Sequence, residues 1–224
     1  MADWQVDAVL LDMDGTLLDT ERVYLTALDA ALTAFGHRDG LAIGHAMIGI
    51  PGPECDLMLR DHYGADFPMQ DFNDAFTARC DDILRDGMPL KPGAIELLDA
   101  LRTAGCATAL VTSSSRRTAE RHLALGGIRD HFETVLTRDD VARGKPSPDL
   151  YLLAAETLRV QPGACVAIED SNPGIAAASS AGTIPIMVPD IVAPTPETRT
   201  RCAAILPTLH EALDLLRERA GLGR

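Results

Sequence analysis

The stretch Val9-Leu10-Leu11-Asp12-Met13-Asp14-Gly15-Thr16 decides the fold of this chain. A short apolar run bounded by turn residues reads as a strand buried within a sheet. It ends abruptly in two carboxylates one residue apart. In open α/β sheets ligands bind beyond the carboxyl ends of the strands, and these two Asp would project there. Two like charges so close repel, so the site favours a bound cation or a shared proton. Hard cations such as Mg²⁺ take oxygen ligands from one or two carboxylates plus substrate phosphate. Metal-assisted chemistry on a phosphorylated substrate is the first expectation. A calcium loop of the EF-hand type is excluded: counting from Asp12, its sixth and twelfth positions would need Gly and Glu but hold Leu17 and Val23.

Outward from this strand, the pattern divides the chain. Thr20 to Phe35 reads as a helix capped by Thr20 and stopped by Gly36. Val23, Ala27, Ala30, Ala31 and Ala34 keep near-helical spacing. Residues 41–87 carry no alternating strand pattern. They offer short amphipathic pieces instead: around Met47, from Pro53 to His62 and from Gln70 to Arg85. Gly49-Ile50-Pro51-Gly52-Pro53 reads as a loop.

From Pro92 onward, helix and strand alternate. Gly93–Thr103 is a helix with Ala94, Leu97, Leu98 and Leu101 on one face, and Ala107–Val111 is a strand. Arg116–Leu125 is a helix stopped by Gly126-Gly127, and Thr134–Leu136 is a strand. Ser147-Pro148-Asp149 opens a helix with Ser147 as its cap. Ala164–Ile168 is a strand, Asn172-Pro173 starts a helix ending at Gly182, and Ile184–Val188 is the fifth strand. Residues 189–200 read as a loop. Thr208 and Glu211 form a capping box for a last helix facing inward through Leu209, Leu213 and Leu216. Repeated βα alternation implies a parallel sheet. The expected fold is therefore α/β, a Rossmann-like parallel five-stranded sheet flanked by helices with an inserted all-α domain. Residues 1–18 and 88–224 would form the discontinuous core and 19–87 the insertion.

Composition bounds the partners. The 224 residues suit one domain, or a core with a modest insertion, and 46% hydrophobic residues suit a sizeable core. A net charge of −13 argues against nucleic acid and anionic membrane surfaces. It would also repel anionic substrates, so a phosphate site needs local compensation by a metal, Lys, Arg or backbone N–H groups. Cys55, Cys80, Cys106, Cys165 and Cys202 are odd in number and far apart, the pattern of a reducing compartment, and Cys106 and Cys165 look like small core residues. The acidic start Met1-Ala2-Asp3-Trp4-Gln5-Val6-Asp7 lacks the apolar core of a signal peptide, and no apolar stretch approaches membrane-span length. A cytoplasmic monomer acting on a small phosphorylated metabolite is expected.

Three further strand ends carry polar groups. Thr112-Ser113-Ser114-Ser115 follows the second strand, where hydroxyls and free N–H groups at a helix start can cradle phosphate. Gly144-Lys145-Pro146-Ser147-Pro148 pins one Lys just before a helix. Ile168-Glu169-Asp170-Ser171 ends the fourth strand in two acids. Each alone reads as a polar turn; their joint order does not.

With Asp12-Met13-Asp14-Gly15-Thr16 at its head, this set resembles the haloacid dehalogenase-like superfamily. Lys145-Pro146-Ser147-Pro148-Asp149 and Glu169-Asp170-Ser171-Asn172-Pro173-Gly174-Ile175 resemble its β-phosphoglucomutase and phosphoglycolate phosphatase-like branch, which carries a helical cap. The resemblance implies a Mg²⁺-dependent phosphatase working through an aspartyl phosphate. Asp12 would be the nucleophile and Asp14 the general acid–base. Thr112, Ser113 and Ser114 would supply the phosphate-binding hydroxyl and N–H. Lys145 would bridge Asp12 and phosphate. Asp12, Asp170, the Asp14 carbonyl and Glu169 would hold or support the metal. Dehalogenating members lack the second acid, so Asp14 favours phosphoryl transfer. Where the phosphomutase branch carries a His and an Arg in the cap, this chain reads Tyr24 and Gly52, which favours hydrolysis over the alternative of a sugar phosphomutase. Response-regulator receivers share an Asp cluster, a Thr/Ser and a Lys, but they lack the Asp-x-Asp-Gly-Thr order and the helical insertion. Arg22, Tyr24, Arg60 and Arg79 are candidates for contacts to the leaving group.

Overall fold

Six parallel strands make a single sheet among the described residues, which are 4–48, 50 and 52–222 of the computed structural model. The strands are β1 (Ala8–Leu11), β2 (Ala107–Val111), β3 (Thr134–Leu136), β4 (Cys165–Glu169), β5 (Ile184–Met187) and β6 (Ala204–Ile205). Their spatial order is β3-β2-β1-β4-β5-β6. Strand β1 lies between β2 and β4, with Leu11 level with Leu110 on one side and Ile168 on the other. The carboxyl ends of β1, β2 and β4 therefore lie side by side at the point where the strand order reverses, the position at which such sheets bind ligands.

The central strands are apolar along their length because helices cover both faces. On one face Ala8, Leu10, Ala109, Val111, Cys165 and Ala167 pack with Leu150, Tyr151 and Ala154 of α7 (Asp149–Leu158) and with Ala177 and Ala178 of α8 (Asn172–Ser180). Helix α5 (Ala94–Thr103) packs on α10 (Leu209–Ala220) and β2, and its Ala94, Leu97, Leu98 and Leu101 are buried. α6 (Arg116–Gly126) begins at a Ser115 cap and stops at Gly127 in the left-handed region, and α10 begins at a Thr208 cap.

The sheet and its helices belong to one compact unit, Met1–Asp19 with Met88–Arg224. Within it the chain turns back after β1, with Leu17 and Leu18 N–H both donating to the Met13 carbonyl. Residues 17–19 then meet 89–91: Asp19 N–H donates to Pro89 O at 2.9 Å and Lys91 N–H to Leu17 O at 2.8 Å. The second unit, Thr20–Gly87, is built from α1 (Thr20–Ala34), α2 (Gly40–Met47), α3 (Gly52–Tyr63) and α4 (Met69–Ile83). Its core gathers Leu28, Leu32, Ile43, Leu59, Phe67, Met69 and Phe72, with Phe35 and Tyr63 packed against it.

Several expectations need correction. The sheet has six strands, not five. β6 is a two-residue edge strand, too short to show alternation, and it is held by Ala203 N–H to Pro185 O and Leu206 N–H to Met187 O. The 189–200 loop contains a short helix, α9 (Pro196–Arg201), because the Thr195 hydroxyl caps the Thr198 N–H and Pro196 suits a first turn. Ser147 does not cap α7. That helix starts at Asp149 without a side-chain cap, and the Ser147 N–H closes a turn onto Gly144 O. Thr20 is the first residue of α1, inside the helix, and Gly52 is the first residue of α3. Gly49 and Pro51 of the expected loop, and Met1 to Asp3, lie outside the described residues. Cys165 is buried as expected, whereas Cys106 is half-buried.

Candidate active site

Lys145 organises the strand ends. Its ammonium donates to Asp12 Oδ1 at 2.6 Å, to Glu169 Oε1 at 2.5 Å and to the Val111 carbonyl at 2.8 Å. It thereby ties β1, β2 and β4 together where they end. The side chain is 4% exposed, and the Glu169 side chain is fully buried. A buried ammonium is tolerated only when paired and hydrogen-bonded, and here all three of its protons are used.

Glu169 is saturated by donors. Oε1 receives Lys145 and the Tyr151 hydroxyl at 2.8 Å, and Oε2 receives the Ser171 hydroxyl at 3.0 Å and the Ser171 N–H at 3.3 Å. Gly174 makes this packing possible, since a Cβ there would fall 1.9 Å from the Glu169 carboxylate. Tyr151 also sets its ring 5.3 Å from the lysine nitrogen.

Asp12, Glu169 and Asp170 each offer an oxygen within 4.8 Å of the others. Burial, and then the Glu169 carboxylate, push Asp12 up to about 8 against the pull of Lys145. Burial and the neighbouring Asp12 raise Asp170 well above the ordinary carboxylate range. Burial alone would lower Lys145, but Asp12 and Glu169 outweigh it and hold the ammonium above its usual value. One lysine cannot neutralise three carboxylates, so without further positive charge the cluster retains protons at neutral pH. Oxygen donors with a surplus of negative charge fit a hard divalent cation, whose binding would release those protons.

Asp14 sits beside this cluster. Its Oδ2 accepts from the Ser114 hydroxyl at 2.7 Å and, more weakly, from the Thr112 hydroxyl at 3.4 Å. The Nδ1 of buried His122, on α6, lies 3.6 Å from Asp14 Oδ1. Gly15, with φ +80°, turns the chain between Asp14 and Thr16, and a Cβ there would strike Asp170 Oδ2 at 2.4 Å. The Thr16 hydroxyl in turn donates to Asp170 Oδ1 at 3.3 Å.

The structure thus brings together Asp12, Lys145, Glu169 and Asp170 in one cluster, and Asp14, Thr112 and Ser114 in a second one next to it. Ser113 follows Thr112 in the same β2–α6 turn. Arg22, Tyr24, Arg60 and Arg79 belong to the Thr20–Gly87 unit. There the Tyr24 ring lies 6.3 Å from that of Phe76, and Arg79 lies 3.8 Å from Asp82. Sequence reasoning missed Tyr151 and His122, which carry no signal beyond apolar-face positions on α7 and α6. It also missed the Ser171 bonds to Glu169, because Ser171 reads simply as the cap of α8.

Comparison with known proteins finds relatives over most of the chain. A family model described as haloacid dehalogenase-like hydrolase matches residues 6–182. Hexitol phosphatase A of Escherichia coli is 35% identical, the alignment covering 77% of this chain and 78% of that protein. The bifunctional riboflavin kinase/FMN phosphatase of Arabidopsis thaliana is 31% identical over 96% of this chain, which spans only 55% of the plant protein. A HAD family hydrolase from Deinococcus radiodurans, solved with bound phosphate and sodium, superposes with a TM-score of 0.83 at 32% identity, covering 98% of both chains.

Proposed function

Because the chain belongs to the haloacid dehalogenase-like hydrolases, we propose that it is a Mg²⁺-dependent phosphatase acting on a small phosphomonoester through an aspartyl phosphate on Asp12. The observation that carries this reading is the buried Lys145 ammonium held between Asp12 and Glu169 beside Asp170. Two relatives named as phosphatases support it.

In the first half-reaction an Asp12 carboxylate oxygen attacks phosphorus, and the bond from phosphorus to the substrate alkoxide oxygen breaks. Asp14, in its acid form, gives its proton to that oxygen, so a neutral alcohol leaves. In the second half-reaction Asp14 takes a proton from water as the water oxygen attacks phosphorus. The Asp12–phosphorus bond breaks, and inorganic phosphate and free Asp12 result. Lys145 neutralises charge on Asp12 and on the transferring group. Thr112 and the Ser113 N–H hold its oxygens, while Ser114 orients the Asp14 carboxylate. Asp12, Asp170 and the Asp14 carbonyl would hold Mg²⁺, which supplies positive charge against the phosphoryl oxygens. Glu169, its oxygens occupied by donors, serves to hold Lys145.

The test is phosphate release from a panel of small phosphomonoesters with Mg²⁺, run in H₂¹⁸O. Labelled phosphate and at least about 10³-fold lower turnover for Asp12→Asn are expected. Undiminished turnover in that variant would remove the nucleophile assignment. With glucose 1-phosphate and a trace of bisphosphate primer, glucose 6-phosphate accumulating faster than phosphate would replace hydrolysis with phosphomutase chemistry.

A further inference from the structure

Asp190 lies in the loop after β5. Its Oδ1 accepts from the Lys91 ammonium at 2.6 Å, and Lys91 also lies 3.7 Å from Asp19. Its side chain is only 9% exposed. Its second oxygen, Oδ2, is buried and has no hydrogen-bond donor among the described residues. An unmet buried acceptor is costly, so tethering Lys91 does not by itself account for a carboxylate here.

The direction of that oxygen supplies the account. The point where a Cβ would stand on Gly15 lies 2.4 Å from Asp170 Oδ2 and 3.5 Å from Asp190 Oδ2. The two oxygens converge over the same glycine, one from the cluster suited to a cation and one from Asp190. Mg²⁺ dehydrates reluctantly and keeps several of its waters, and those waters need acceptors. We infer that Asp190, braced by Lys91, is a positioning residue that accepts a hydrogen bond from water carried by the divalent cation of the Asp12–Asp170 site. The inference rests on the proposed function only in requiring a cation there. A Cβ on Gly15 would displace Asp170 and stand in contact with Asp190 Oδ2.

Asp190→Asn is the informative variant. Its amide oxygen can keep the Lys91 bond while an N–H₂ donor replaces the free acceptor. Chelator-treated wild type, Asp190→Asn and Asp170→Asn are unfolded thermally across a Mg²⁺ titration without substrate. Asp190→Asn should keep the metal-free Tm yet need about tenfold more Mg²⁺ for the half-maximal rise, the usual scale for removing a group that supports a metal's ligands. Asp190→Ser, which deletes the carboxylate without adding bulk, should move the midpoint the same way. An unchanged midpoint in both variants, beside a shifted one in Asp170→Asn, overturns the inference and leaves the cation site standing. A lowered metal-free Tm with an unchanged midpoint makes Asp190 merely a tether for Lys91 and also overturns it. If wild type shows no Mg²⁺-dependent rise, the cation reading falls and takes this inference with it.

Discussion

Tyr151 shows what one hydroxyl does in a buried charge network. Its oxygen donates to the same Glu169 oxygen that receives Lys145, so it shares the task of holding Glu169 in place. Burial, and then the Glu169 charge, hold the phenol well above its ordinary pKa, so it remains a donor throughout the working pH range. Tyr151→Phe removes the donor and little volume. The expected cost is about 1–2 kcal/mol in urea denaturation, because Glu169 keeps three of its four donors. In the proposed reaction kcat should fall more than KM changes, since Lys145 would be less well placed against Asp12. A variant with wild-type stability and kcat would show that Lys145 and Ser171 suffice to place Glu169. Ser114 repeats the theme on the neighbouring acid: a residue legible as a phosphate ligand spends its hydroxyl on Asp14. Sequence spacing places both residues near the site but cannot say which acceptor each one finds.

The turns that follow the strands set the geometry of the elements. After β3, Asp140 Oδ2 accepts from the Thr137 N–H at 2.7 Å, the Thr137 hydroxyl at 2.9 Å and Arg116 Nη2 at 2.6 Å. Asp139 accepts from the Arg116 N–H at 2.8 Å. These bonds fasten the turn after β3 to the first turn of α6, the helix whose cap follows the Thr112–Ser114 turn. Burial works against the Asp140 charge, but the Thr137 N–H and Arg116 outweigh it and hold the carboxyl below its ordinary value. A depressed carboxylate stabilises the fold above its unfolded pKa, near 4, and that contribution disappears as pH falls through the lower folded value. Asp140→Asn should therefore cost about 1 kcal/mol at pH 7, as for the loss of a cap. The gap to wild type should narrow below pH 4. Urea midpoints at pH 7, 5 and 3 check this, and a gap of equal size at pH 3 would refute the electrostatic origin. The capping box of Thr137 and Asp140 is local to one turn, but its Arg116 partner is 24 positions away and emerges only from the packing of β2 beside β3.

At the scale of the whole molecule, the two compact units invite a test of independence. The chain leaves the sheet unit at Asp19 and rejoins it at Met88, and these two crossings are hydrogen-bonded to each other through Asp19–Pro89 and Leu17–Lys91. The ends are already adjacent, so closing them with a short Gly-Ser linker costs little entropy. We propose that residues 1–19 and 88–224 so joined fold without 20–87, with cooperative unfolding and an α/β circular dichroism spectrum; a broad, non-cooperative transition would show that the units fold only together. The parallel α/β class, the polar residues at the strand ends and most helix faces followed from the sequence, because hydrophobic period, turn residues and local order along the chain are properties of neighbours. Only the tertiary structure decided that β6 adds an edge strand to the sheet, that Tyr151 and Ser171 saturate Glu169, and that Asp170 and Asp190 both approach Gly15. Apart from Ser171, which is close to Glu169 in the chain, these contacts join residues well separated in sequence, and they are set by how strands stack and helices pack, which no local pattern records.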